Sequence, residues 1–153
     1  MKNADAERTT ADVLTELRET GKFERVLGAI PYARLLGLSV EVVEGDPITT
    51  LHGAPHLIGN PVLPALHGGT VGALLESAAI FKLIWEIKSF SVPKTINITV
   101  DYLRSARVVD TYARAVITKH GRRVANVQVR AWQRDEHTPI AVAHAHFLLK
   151  TVK

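Results

Sequence analysis

The spacing of apolar and polar positions changes period along this chain, and each change marks a new element. In 9–20, TTADVLTELRET, Val13, Leu14 and Leu17 recur at helical spacing, Thr9 or Thr10 supplies a capping hydroxyl and Gly21 ends the run. That pattern predicts an amphipathic helix. A second short helix is expected from Phe23 to Ile30, stopped by Pro31. Strand-like pieces follow at Leu38–Glu44 and Ile48–Leu51, parted by the turn residues Gly45-Asp46-Pro47. Residues 52–66 hold three prolines and two glycines and read as loop. From Thr70 to about Lys88 the period is helical again, but apolar residues lie nearly all the way round, with a narrow polar stripe at Lys82 and Glu86. Such a helix is expected beneath a sheet.

The remainder alternates. Across 95–104, Ile96, Ile98, Val100 and Tyr102 share one face and Thr95, Asn97, Thr99 and Asp101 the other. Further strands are expected at 111–118, 123–133 and 140–149, and the short turns between them predict consecutive antiparallel pairing. The predicted fold is therefore α+β: an antiparallel sheet wrapped around one long central helix, with short N-terminal helices beside it. Residues 1–8 are expected to form a disordered N-terminus outside a single domain at 9–150.

Composition narrows the functional classes. At 153 residues, 46% hydrophobic and 22% charged, the chain suits one globular domain. It has no cysteine, which excludes a disulfide framework, a thiol nucleophile and cysteine-ligated metal. The polar start MKNADAERTT lacks the apolar stretch of a secretory signal, and Glu76, Lys82 and Glu86 interrupt the most hydrophobic region. No membrane partner is expected, and the protein is expected in the cytoplasm. The net charge of +4 divides into −3 over residues 1–90 and +7 over 91–153. Those basic residues are interleaved along strands, and 6% aromatics leave little for base stacking, so nucleic acid is not an expected partner. A small phosphorylated ligand suits the charges better, with Arg104, Arg107, Arg122 and Arg123 as its candidate contacts.

Two features point to chemistry. Glu76 shares its helix face with Gly72, Ile80, Leu83 and Ile87, all apolar, and a carboxylate there is costly unless partnered. This marks it for acid–base or nucleophilic work. His67-Gly68-Gly69 stands directly before the same helix, where exposed backbone N–H groups can form an oxyanion hole. Glu76 lies two turns further on, roughly 10–12 Å along the axis from Gly69. His144 and His146 share a strand face without an acidic or cysteine partner, so neither a metal nor a cofactor is expected.

The segment Gly59-Asn60-Pro61 … His67-Gly68-Gly69, an acid nine positions after the histidine, and Thr95–Arg104 together resemble the hotdog-fold acyl-CoA thioesterases of the PaaI-like type. The likeness runs from about Phe23 to Leu149 and includes Gly121-Arg122-Arg123-Val124-Ala125-Asn126. It implies Glu76 as catalytic carboxylate, either general base or nucleophile, where many relatives carry Asp. It implies that Gly68 donates its N–H to the thioester carbonyl, that His67 and Asn60 position that carbonyl, and that Thr95 holds the water or the carboxylate. Gly69, Arg104, Arg122, Arg123 and Leu83 are the expected substrate and CoA contacts, with Phe81 and Trp85 as further pocket candidates. Such proteins form dimers through sheet edges and often dimers of dimers. The implied activity is hydrolysis of an aryl or medium-chain acyl-CoA. A non-catalytic acyl-CoA sensor and an acyl-CoA or acyl-ACP dehydratase remain the alternatives.

Overall fold

The computed structural model describes residues 2–87 and 91–150, with side chains from Thr10 onward. Helices α1 (Lys2–Thr20), α2 (Glu24–Ala29) and α3 (Pro31–Leu36) precede strands β1 (Leu38–Val43) and β2 (Asp46–Leu51). A single 3-10 turn at Pro55–Leu57 leads to β3 (Ile58–Asn60) and β4 (Ala65–Leu66). The long helix α4 (Gly68–Glu86) follows, then β5 (Lys94–Tyr102), β6 (Thr111–His120), β7 (Val124–Trp132) and β8 (Ala141–Leu148).

The sheet can lie close on α4 because its inner face is small. Ala113, Ala115, Ala125, Ala131, Ala141, Ala143 and Ala145 all point inward and are buried. Against them α4 presents Leu74, Leu75, Ala78, Ala79 and Leu83. By length and composition α4 is apolar enough to cross a bilayer, contrary to the expectation that its charges would prevent this. Here it is the core helix, because the alanine-rich strands cover it.

Several sequence expectations are corrected. Helix α1 begins at Lys2 rather than Thr9, so the segment expected outside the domain is helical from its second residue. Its Ala, Glu, Lys and Arg residues favour helix without any apolar periodicity to announce it. Pro31 does not end helical structure but starts α3 from its first position, where its missing N–H costs nothing. The hairpin turn falls on Glu44 and Gly45, both with positive φ (52° and 81°), so Asp46 and Pro47 belong to β2. The predicted 52–66 loop contains the β3–β4 hairpin.

The largest correction concerns strand order, which is β1-β2-β6-β7-β8-β5. Strand β5 pairs with β8, not with its neighbour in sequence, and the 103–110 connection carries the chain past β8 and β7 to β6. This leaves β5 as one open edge of the sheet.

The expected polar stripe on α4 is an ion-pair cluster. Lys82 is buried and pairs with Asp46 on β2 and with Glu86 one turn along, and Arg114 adds a contact to Asp46 at 3.5 Å. Burial alone would lower the Lys82 pKa, but the hydrogen bonds it donates to Asp46 and Glu86 outweigh it and lift the value above the ordinary 10.5. A raised folded-state pKa stabilises the fold fully below the unfolded value, and the gain is lost as pH climbs through the higher folded one. Comparing urea midpoints of the wild type and Lys82→Met from neutral pH up past 10.5 should show the gap between them constant at first and narrowing only above 10.5.

Candidate active site

Thr95 faces Glu76 because β5 is bulged. Thr95 pairs with Phe147 and Asn97 with the adjacent His146, so Ile96 is an extra residue opposite no partner. Phe147 points into the core, and cross-strand partners share a face, so Thr95 points inward as well. Beyond the bulge Ile98 and Val100 also pack on the core, while Ile96 is 53% exposed. Unbroken alternation had put Ile96 inward and Thr95 outward, and one inserted residue reverses that assignment. The Thr95 hydroxyl donates to Glu76 Oε1 at 2.6 Å. Among the described residues no cation pairs with this half-buried carboxylate.

The second group gathers at the N-terminus of α4. His67 is the cap residue, and its Nδ1 accepts the Gly69 N–H at 2.8 Å. That fixes the neutral tautomer: Nδ1 is the acceptor and Nε2 carries the proton as a free donor. The Gly69 N–H is thereby committed, whereas the Gly68 N–H meets no acceptor among the described residues. Gly59 holds the histidine from below, where a Cβ would come within 2.6 Å of His67 Cα. Asn60 accepts the Val62 and Leu63 N–H groups through Oδ1, so its side chain closes the β3–β4 hairpin with the amide NH₂ left over.

Tyr102, which the sequence offered only as one apolar position of a strand, belongs to this group. Its hydroxyl donates to the Gly68 carbonyl at 2.7 Å, its ring packs over the Gly68 position and its hydroxyl oxygen reaches the Gly72 position. A cleft of 380 Å³ opens here between Leu66, Val71, Tyr102, Leu103 and Arg104. It adjoins a second cleft of 410 Å³ bordered by Arg104, Arg107 and Arg134. Arg134 was not anticipated, because it stands 30 positions along the chain from Arg104 and reaches it only through the folded connection.

Other expected contacts lie elsewhere. Arg122 and Arg123 sit in the β6–β7 turn, at the Thr95 end of the sheet and opposite to the Arg104 end. The two basic clusters therefore lie at opposite ends of the sheet, and β8 and β7 separate Thr95 from the β6–β7 turn. Leu83 is fully buried, and Phe81 and Trp85 are occupied by Phe23, with ring centroids 5.7 and 6.1 Å away. These three residues are core rather than groove. The described residues hold no group of three or more potential metal ligands.

A family model described as the thioesterase superfamily matches residues 63–140. A crystal structure of a Chromobacterium violaceum protein is 40% identical, with 92% of this chain and 98% of that one covered at a TM-score of 0.73. A phenylacetic acid degradation-related protein from Ralstonia eutropha is 25% identical over 83% of this chain and 98% of its own, with a TM-score of 0.70. A Bacillus halodurans protein crystallised with CoA is 19% identical, covering 92% and 93%, and shares the fold at a TM-score of 0.70. The search of curated proteins found no match. The chain belongs to the thioesterase superfamily and has its hotdog fold.

Because Gly59 backs directly onto His67, Gly59→Ala should displace the histidine and its Gly69 cap. Thioester turnover should fall at least tenfold while the melting temperature moves by only a few degrees, with steady-state kinetics and thermal unfolding as the paired measurements.

Proposed function

We propose that this protein hydrolyses an acyl-CoA to the free acid and CoA, and that Glu76 is the base. The observation that carries this is a half-buried carboxylate held by a single hydroxyl, with no cation among the described residues to neutralise it. Thr95 fixes Oε1, and Oε2 takes a proton from water as the water oxygen bonds to the carbonyl carbon. The Gly68 N–H and the His67 Nε2–H stabilise the oxyanion that forms. Collapse then breaks the carbon–sulfur bond, and the proton passes from Glu76 to the departing thiolate.

One chain cannot assemble this site. Gly68 and Glu76 stand eight residues apart on α4, about 12 Å along its axis, whereas a carbonyl and its attacking water span only a few ångström. The open edge of β5 supplies the answer. Along that strand and its ends Val92, Ile96, Tyr102 and Leu103 are 47%, 53%, 56% and 50% exposed, an apolar edge suited to a second copy. A two-fold axis midway between Thr95 and Tyr102 sets the Glu76–Thr95 half of one subunit opposite the His67–Gly68 half of the other. The same axis brings the Arg122–Arg123 turn of one subunit toward the Arg104, Arg107 and Arg134 cleft of the other, so both clusters serve the phosphates of one CoA. The cleft beside Val71 and Tyr102 suits an aryl or medium-chain acyl group.

Thiol release from a panel of aryl and medium-chain acyl-CoAs tests the activity. Glu76→Gln should lower kcat by about 10²–10⁴-fold with the fold intact; a variant that keeps most of its turnover would remove Glu76 from the chemistry. The shared site is tested by complementation. Glu76→Gln and His67→Ala are each expected to be nearly inactive alone. Their one-to-one hybrid should recover about a quarter of wild-type activity, since half the dimers are mixed and each holds one intact site. No recovery would place the whole site within one subunit.

A further inference from the structure

On the outer face of the sheet, remote from Glu76, three residues from separate parts of the chain form a hydrogen-bonded line. Ser39 lies on β1, His52 directly after β2 and Asp110 directly before β6. Ser39 Oγ is 2.8 Å from His52 Nε2, and His52 Nδ1 is 3.1 Å from Asp110 Oδ2. Asp110 Oδ1 in turn accepts the Gly53 N–H at 3.1 Å. A carboxylate only accepts, so His52 carries its proton on Nδ1 and its Nε2 accepts from the serine hydroxyl. This is the order of groups that activates a serine: nucleophile, base, and an acid that orients the base.

The backbone holds the line in place. The His52 N–H donates to the Gly37 carbonyl at 3.2 Å, and Gly37 ends α3 in the left-handed region at φ 70°. Gly53 lies so close to Val109 that a Cβ would meet its backbone at 2.7 Å, which clamps the His52 and Asp110 loops together. The Gly37–His52 bond also sets the hydrogen-bonding phase of β1, so the Val40 N–H points off that strand's unpaired edge, next to Ser39 Oγ. It is a backbone donor placed for an oxyanion.

The substrate class follows from the register. Ser39, Thr50, Tyr112 and Trp132 stand side by side across four strands, and the Tyr112 and Trp132 rings pack with centroids 6.0 Å apart. Adjacent strands are about 4.8 Å apart, so this aromatic shelf begins about 10 Å from the serine across the short Thr50 side chain. We propose that Ser39, His52 and Asp110 form a second catalytic site that cleaves small aryl esters, independent of Glu76. Ser39 Oγ bonds to the ester carbonyl carbon as its proton moves to His52 Nε2. Collapse breaks the bond to the aryloxide, which leaves with that proton. Water then attacks the acyl-serine, gives its proton to Nε2, and releases the acid as the serine takes the proton back.

The test uses full-length protein, a fluorophosphonate that labels activated serines, and p-nitrophenyl acetate. Peptide mapping should find the phosphonyl adduct on Ser39 in the wild type and equally in Glu76→Gln, which separates this site from the thioesterase reading. His52→Gln should slow labelling by about 10²-fold or more. Ser39→Ala should lose p-nitrophenyl acetate turnover and retain acyl-CoA thiol release. Absence of a Ser39 adduct would overturn the proposal. So would ester turnover that survives in Ser39→Ala but not in His52→Gln, because the histidine would then act directly. If Ser39→Ala changes only the melting temperature, the line merely staples β1 to the loop before β6, and the proposal fails.

Discussion

The architecture depends on covering α4, a helix apolar on almost every side. A flat sheet would bury only one face of it, so the strands must curl, and their inner positions must be small enough to let the curl close in. Alanine at seven inward positions of β6, β7 and β8 meets that requirement, with Phe147 and the branched residues of β7 filling what remains. The N-terminal helices complete the cover through Phe23, which is fully buried against Phe81 and Trp85. Once the helix is wrapped, its N-terminal turn stays open to the surface, and β5 is left as an edge. The candidate active site occupies the places the wrapping leaves uncovered.

Much of this was legible in the sequence, and the parts that were not share a cause. The long helix, the strand positions and the Glu76 and His67-Gly68-Gly69 features are local patterns, readable from periodicity and spacing. Strand order is not local: the 103–110 connection is long enough to reach either neighbour, and nothing in its residues states that β5 joins β8. The bulge at Ile96 was equally hidden. Thr95, Asn97 and Thr99 alternate with Ile96, Ile98 and Val100 without a break, and only the pairing with β8 shows that one residue is extra. Tyr102, Arg134 and the Ser39–His52–Asp110 line escaped for the same reason, since each gains its meaning from a partner far away in sequence.

The bulge links the fold to the chemistry. A regular β5 would turn Thr95 outward and leave Glu76 facing an isoleucine, with the carboxylate stranded among apolar side chains at a cost of a few kcal/mol. One inserted residue replaces that contact with a hydroxyl donor and sends Ile96 to the surface, where it adds to the apolar β5 edge. In the dimer proposed above, the distortion that brings Thr95 to Glu76 also shapes the apolar edge that a second copy would cover.

The two acidic residues of α4 are treated in opposite ways, and the difference separates structure from function. Glu86 is neutralised: Lys82 bridges it to Asp46, and Arg114 joins from β6. The cluster ties helix to sheet with opposite charges in contact, as a structural ion pair requires. Glu76 is closer to the middle of the helix, yet among the described residues it receives only the Thr95 hydroxyl. A hydroxyl orients a carboxylate without cancelling its charge. A fold that pairs Lys82 with two carboxylates could have paired this one. Among the described residues no cation stands beside it, which is the arrangement that the proposed role as base calls for.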